Sequence, residues 1–409
     1  MVSRPFESFS RLTKCTPWLQ GSLTAAALTI SVLPLNRLSD RIGRKPILLL
    51  GLSVALMSIL WVGLAKTFWS LAASQCFRGL FDGNISVSKN VIGEMTDYTN
   101  RSRAFSLFLI LSTCGRTLGL LIGGDLQKRS SSLFGIEFFK QHPYFLPCLV
   151  VAIILAIAFI VILFFLEETA PRRVLGRQSL QEESSQTYSP PLRELAVYPV
   201  IIAVANYTGL VFLNQCENAL LPLVFAMPVE IGGLGFNPAQ IGYILGAYSL
   251  LTTFFLAFFF GPIIRFFGER RFFIFCVFSQ LLMWVMLPII HQYARHFGIG
   301  AHVWVGLAVM SLPHVCVEMG FGCIYTYLIG AAPNRRSMSS TIAVAYVISS
   351  IFGIMVPTMA TSLFSYSIQH NILGGYAVYA VISFWTVLAT LVAFCLPFDA
   401  RPVWERERS

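Results

Sequence analysis

The sequence predicts an all-α polytopic membrane protein, and three observations carry that prediction. Hydrophobic residues make up 56% of the 409 residues and charged residues 12%, roughly half the charged share of an ordinary soluble domain. The apolar residues fall into runs of about 20, the length needed to cross a bilayer as helices, separated by short charged turns. No stretch shows the ten-residue alternation of a membrane β-barrel.

Eleven spans are expected near 17–35, 46–65, 69–93, 104–126, 144–166, 197–225, 238–264, 272–292, 302–330, 338–365 and 373–397. A polar segment, 1–16, precedes the first span, and 398–409 follows the last as a cytoplasmic tail. No short apolar core with a small-residue cleavage site marks a signal peptide. The net charge is +10, but its distribution is topological: 18 of the 29 Lys and Arg fall on one side of the spans and eight on the other. The richer side is cytoplasmic, so no nucleic-acid partner is expected. Nine cysteines show no CxxC and no metal spacing; most lie in spans, as small buried hydrophobes do.

The first loop, NRLSDRIGRKP at 36–46, packs Asp40, Arg41, Arg44 and Lys45 into a turn brief enough to make its flanking helices antiparallel neighbours. Gly43 allows a tight bend and Pro46 suits the first turn of the next helix. In the third span Arg78 lies about 14 Å deep, close to the bilayer centre, with Asp82 one turn on at i+4. Charges at that depth are costly and need partners, so the two read either as a structural pair or as a proton-coupling or substrate site. Glu94 and Asp97 close this span on the cytoplasmic side, within reach of Arg41 or Arg44. They complete either a gating network or a static topology anchor. Gly115, Gly119 and Gly123 repeat every four residues in the fourth span, a small face that permits close helix packing; Arg116 beside them has no evident partner.

The stretch 167–196, rich in Ser, Gln, Glu and Pro, is a cytoplasmic linker. It separates a five-helix bundle, 17–166, from a six-helix bundle, 197–397. GPIIRFFGERR at 261–271 overlies the first loop with an offset of 225, placing Gly268 on Gly43, Arg270 on Lys45 and Arg265 on Asp40. Such a repeat points to parallel halves related by a pseudo-twofold axis along the membrane normal. On the same offset, the counterpart of 197–225 would fall before Met1. The chain is therefore expected to lack the opening helix of its first half, through an incomplete gene model or a natural truncation.

In the second half, Asn214, Gln215 and Glu217 form a polar cluster inside a span, and His314 and Glu318 share a helix face at i, i+4. That pair reads as a proton-exchanging site or as a structural hydrogen-bonded one. His291, His296 and His302 match no helix face, and no metal or cofactor is expected. No phosphate-binding loop, GxSxG or HExxH occurs, so an enzyme is not expected and energy would come from an ion gradient.

The loop NRLSDRIGRKP resembles the loop between helices two and three of the major facilitator superfamily, matching at Asp40, Arg41, Gly43, Arg44 and Lys45, with Asn36 in place of glycine. CFRGLFDGNISVSKNVIGEMTD, NRSRAFS, PYFLPCL before LEET, GGLGFNPAQIG and AAPNRRS are similar to the drug:proton antiporter branch, the tetracycline-resistance-like one, and to its fungal members in particular. The resemblance implies two six-helix bundles around a central cavity lined by the first, fourth, seventh and tenth helices, here without the first. It implies alternating-access transport of a small organic solute, a drug or metabolite, with protons as the coupled partner. It also implies a monomer in the plasma or vacuolar membrane, and an arginine at the place of Arg78 associated with proton coupling. Leu120 departs from the branch, whose helix carries proline there. The alternative within the same fold is a transport-inactive paralogue acting as a membrane binding or regulatory protein, or a non-functional product.

Overall fold

Where the sequence has apolar runs, the chain is helical. A computed structural model describes residues 4–96, 98–133, 142, 144–168, 197–334 and 337–398; side chains are described from residue 23 on, except at 68, 98–99, 120–133 and 238–239. The linker beyond residue 168 and the tail from residue 399 lie outside the described residues, as does Asp97.

The first-half helices are α1 (Arg4–Ile42), α2 (Arg44–Leu64), α3 (Phe68–Phe81), α4 (Asn84–Met95), α5 (Tyr98–Leu133) and α6 (Phe145–Phe165). The second half adds α7 (Tyr198–Ala226), α8 (Pro238–Phe258), α9 (Phe260–Phe267), α10 (Glu269–Phe297), α11 (Ala301–Gly330), α12 (Met338–Gln369) and α13 (Ala377–Ala393). Among the described residues seven of these (α2, α6, α7, α8, α10, α11 and α12) are long and apolar enough to cross a membrane.

Two expectations need correction. Residues 4–16, expected as a polar segment set apart from the first span, are helical and continuous with it. That segment contains no glycine, and its one proline, Pro5, stands in the first turn, where no backbone N–H is required. The span 69–93 is two helices, α3 and α4, joined by a turn at Asp82 and Gly83. The turn is tightened by three-residue hydrogen bonds from Ile85 N to Asp82 O (3.2 Å) and from Ser86 N to Gly83 O (3.0 Å). Gly83 lets α1 come close: a Cβ there would stand 3.0 Å from Leu35 Cδ1.

The helices gather into two compact units. One comprises Met1–Asp97, Leu118–Leu195 and Asn334–Ile354, the other Tyr98–Thr117, Ala196–Pro333 and Met355–Ser409. In the first unit α3 packs on α1 and α2, and α6 lies along α2. In the second, α11 touches α7, α8 and α10, while α13 rests on α7 and α10. Burial follows membrane logic. The most apolar helix, α6, has only 11% of its core window buried within the chain, while α11, with its histidine and glutamate, has 78% buried. Apolar faces meet lipid at no cost, whereas polar groups in a span must turn toward protein or water.

The two turns superposed by the repeat share a backbone conformation. Gly43 (φ 120°, ψ 161°) stands between α1 and α2, and Gly268 (φ 79°, ψ 152°) between α9 and α10. Both occupy a region nearly closed to residues with a Cβ.

Candidate functional site

Two clusters of polar side chains stand out, one in each unit. In the first unit, Arg44 opens α2 and is 3% exposed. Its guanidinium reaches Glu94 at the end of α4 (2.7 Å), Asp40 in the last turn of α1 (2.7 Å) and the Ser39 hydroxyl (3.1 Å). The planar fork of arginine suits this bidentate, buried role. Glu168, just past α6, accepts hydrogen bonds from the backbone N–H of Arg44 (2.6 Å) and of Lys45 (3.3 Å). It thereby caps the positive end of α2. Burial raises the Asp40 carboxyl above its ordinary range, with Arg44 pulling in the opposite direction.

Deeper in the unit, a polar seam links α1, α4 and the start of α12. Asn36 donates to Ser86 (3.0 Å), Asn90 donates to Asn36 (2.8 Å) and to Ser339 (3.1 Å), and Thr29 meets Ser350 (2.7 Å). Lys89, 3% exposed, donates to the Tyr346 hydroxyl, and its ammonium stands 4.6 Å from the centre of that ring.

In the second unit, Glu217 on α7 is 2% exposed at its side chain. One carboxylate oxygen meets His314 Nδ1 on α11, and the other accepts from Gln280 Nε2 on α10 (3.0 Å). The His314 ring lies 5.5 Å from that of Tyr248 on α8, whose hydroxyl donates to the Leu307 carbonyl (2.7 Å). One turn along α11, Glu318 is 5% exposed and accepts from Arg116 Nη1 on α5 (3.1 Å). With His314 neutral and Glu217 ionised, the first pair carries net charge −1; one added proton makes it neutral.

These contacts sort the residues expected from the sequence. Arg44, Asp40 and Glu94 come together, an arrangement open to either a gating network or a static anchor, while Arg41 stays exposed with no ion pair among the described residues. His314 and Glu318 do not pair with each other, although they share a face. Four residues separate them by about 6 Å along the axis, so each meets a different neighbouring helix. Arg78 and Asp82 form no ion pair among the described residues. Asp82 caps α3 at the turn, and the Arg78 side chain is exposed. Asn214 accepts from Asn218 (2.9 Å), and Gln215 is half-buried beside it. The glycine face packs against nothing described: within 4 Å of a Cβ at Gly115 or Gly119 there is no atom. The side chains beyond residue 119 of α5, Leu120 included, are not described, nor are the surroundings of Gly123.

Sequence reasoning missed Gln280, Glu168, and Lys89 with Tyr346. Gln280 and Lys89 had a signal, a polar residue inside an apolar run, whereas Glu168 looked like the first residues of the linker.

The family model described as Major Facilitator Superfamily matches residues 18–232. The Psilocybe cubensis "Major facilitator-type transporter psiT2" is 28% identical over 91% of this chain and 78% of its own length. The Aspergillus niger "Efflux pump azaK" is 25% identical over 91% and 76%. A tetracycline resistance protein, class H, from Pasteurella multocida is 24% identical over 86% and 80%. Among solved structures, the crystal structure of the human organic anion transporter MFSD10 superposes with a TM-score of 0.68 at 16% identity, covering 93% of this chain and 83% of that one.

Proposed function

We propose, from the premise that this chain belongs to the Major Facilitator Superfamily, that it is a proton-coupled secondary carrier exporting a small organic solute by alternating access. The superfamily moves small solutes across membranes, and the chain is an integral membrane protein. The direction, the coupling ion and a plasma or vacuolar location are part of this reading.

One observation carries the proton coupling: Glu217 and His314, from different helices, share a buried contact whose charge changes by one with a single proton. Gln280 holds the second carboxylate oxygen, so the acid is oriented toward the imidazole. A buried net charge is costly, so protonation and deprotonation of this pair alter the relative energies of the states the carrier samples. Arg44 with Asp40 and Glu94 supplies the matching device in the other unit, a cytoplasmic latch whose making and breaking biases access.

Proteoliposomes carrying an imposed pH gradient test the reading, with tetracycline and rhodamine 6G as probes. Glu217→Gln and His314→Gln are expected to cut gradient-driven flux roughly a hundredfold, the scale of losing a general acid–base group. Arg78→Ala and Glu318→Gln should reduce it less. Gradient-driven flux that survives in both Glu217→Gln and His314→Gln removes the pair from the coupling mechanism.

A further inference from the structure

We infer that Arg116 is the recognition group for an anionic moiety, a carboxylate or phosphate, on the transported organic solute. The inference rests on the carrier reading and names its substrate class. Arg116 lies halfway along the span expected at 104–126, about 18 Å from its start, at a depth where a guanidinium needs a polar surround. Among the described residues its one ionic partner is Glu318, which engages Nη1. The arginine side chain remains 44% exposed, against 5% for Glu318. Among the described residues Nη2 and Nε, one full edge of the fork, make no hydrogen bond, and such an edge fits two oxygens of a carboxylate or phosphate.

The preceding residue on α5, Gly115, presents no side chain, and among the described residues no atom lies within 4 Å of where its Cβ would stand. The other buried acid of this unit does not compete for the guanidinium, because both Glu217 oxygens are taken by His314 and Gln280. Glu318 thus orients a cation in a span while leaving most of its N–H groups for a visitor. A lipid headgroup is a poor visitor at that depth, since phosphates lie at the bilayer surface.

Equilibrium binding to the full chain, purified in neutral detergent, tests this without any gradient. The probes are 1-naphthoate, 1-naphthyl phosphate and 1-naphthylmethylamine, which share one ring system and differ in charge. Both anions should raise the melting temperature by a few degrees through mass action, and the amine should not. Arg116→Gln should weaken anion binding by roughly tenfold or more, and Arg116→Lys, which keeps the charge but loses the fork, should fall between. The charge-matched series on the unaltered protein decides the matter even where a variant fails to fold. An amine that stabilises as well as the anions, anion binding that survives Arg116→Gln, or a shift produced by phosphatidylserine and by neither naphthyl anion would each overturn the proposal. Anion selectivity lost while proton-driven flux persists removes this site alone; the reverse result removes the coupling pair alone.

Discussion

The turn at 36–46 and the turn at 261–271 share a backbone and differ in chemistry. Each ends one helix and begins the next at a glycine of positive φ, Gly43 in the first and Gly268 in the second. In the first turn the next residue is Arg44, buried and held by Asp40 and Glu94. In the second it is Glu269, which accepts from the Ser102 hydroxyl at the start of α5. Arg270 then donates to the Phe394 carbonyl and lies 3.8 Å over the Phe398 ring, tying the turn to the end of α13. The glycine sets where the chain bends, and the charge after it sets which helix is clamped. One loop scaffold carries a cation-centred set of contacts in one unit and an acid-centred contact in the other.

Breaking that comparison begins with Arg44→Ala. It takes the guanidinium away from two carboxylates, one of them 7% exposed at its side chain, and removing one partner of a buried pair costs about 3–5 kcal/mol. Thermal unfolding in detergent should register this as the largest loss; an unchanged melting temperature would reduce the latch to a surface contact. The glycines sharpen the comparison. Alanine at either position meets a backbone strain on the order of 1–3 kcal/mol. At Gly43, however, the new Cβ also collides with the Glu168 carboxylate, which cannot yield without losing its bonds to Arg44 and Lys45. At Gly268 nothing lies within 4 Å. Gly43→Ala should therefore lower stability more than Gly268→Ala, and equal losses would mean that Glu168 moves freely. The smallest effect is expected for Ser102→Ala, which removes the hydroxyl that donates to Glu269 and should cost about 1 kcal/mol.

Much of this architecture was legible before any coordinates. Apolar run lengths marked α2, α6, α7, α8, α10, α11 and α12 because a helix must be long enough to cross the hydrocarbon, and the offset of 225 matched two turns whose glycines share a conformation. The contact of Arg44 with Glu94 was legible because both lie at the ends of spans expected to be neighbours. The break at Asp82–Gly83 was not, since that Asp-Gly pair stands inside a stretch long enough to read as one span. Arg116 looked orphaned because its acid is on α11, far along the chain.

The sequence by itself determined which side chains must find polar company, because an ionisable group inside an apolar span is too costly to leave alone. Only the tertiary structure decided whose company. His314 and Glu318 are neighbours on one helix face, yet α7 and α10 bring Glu217 and Gln280 to the histidine, and α5 brings Arg116 to the glutamate. Helical periodicity specifies the face a residue occupies; packing between helices distant in sequence specifies what that face meets.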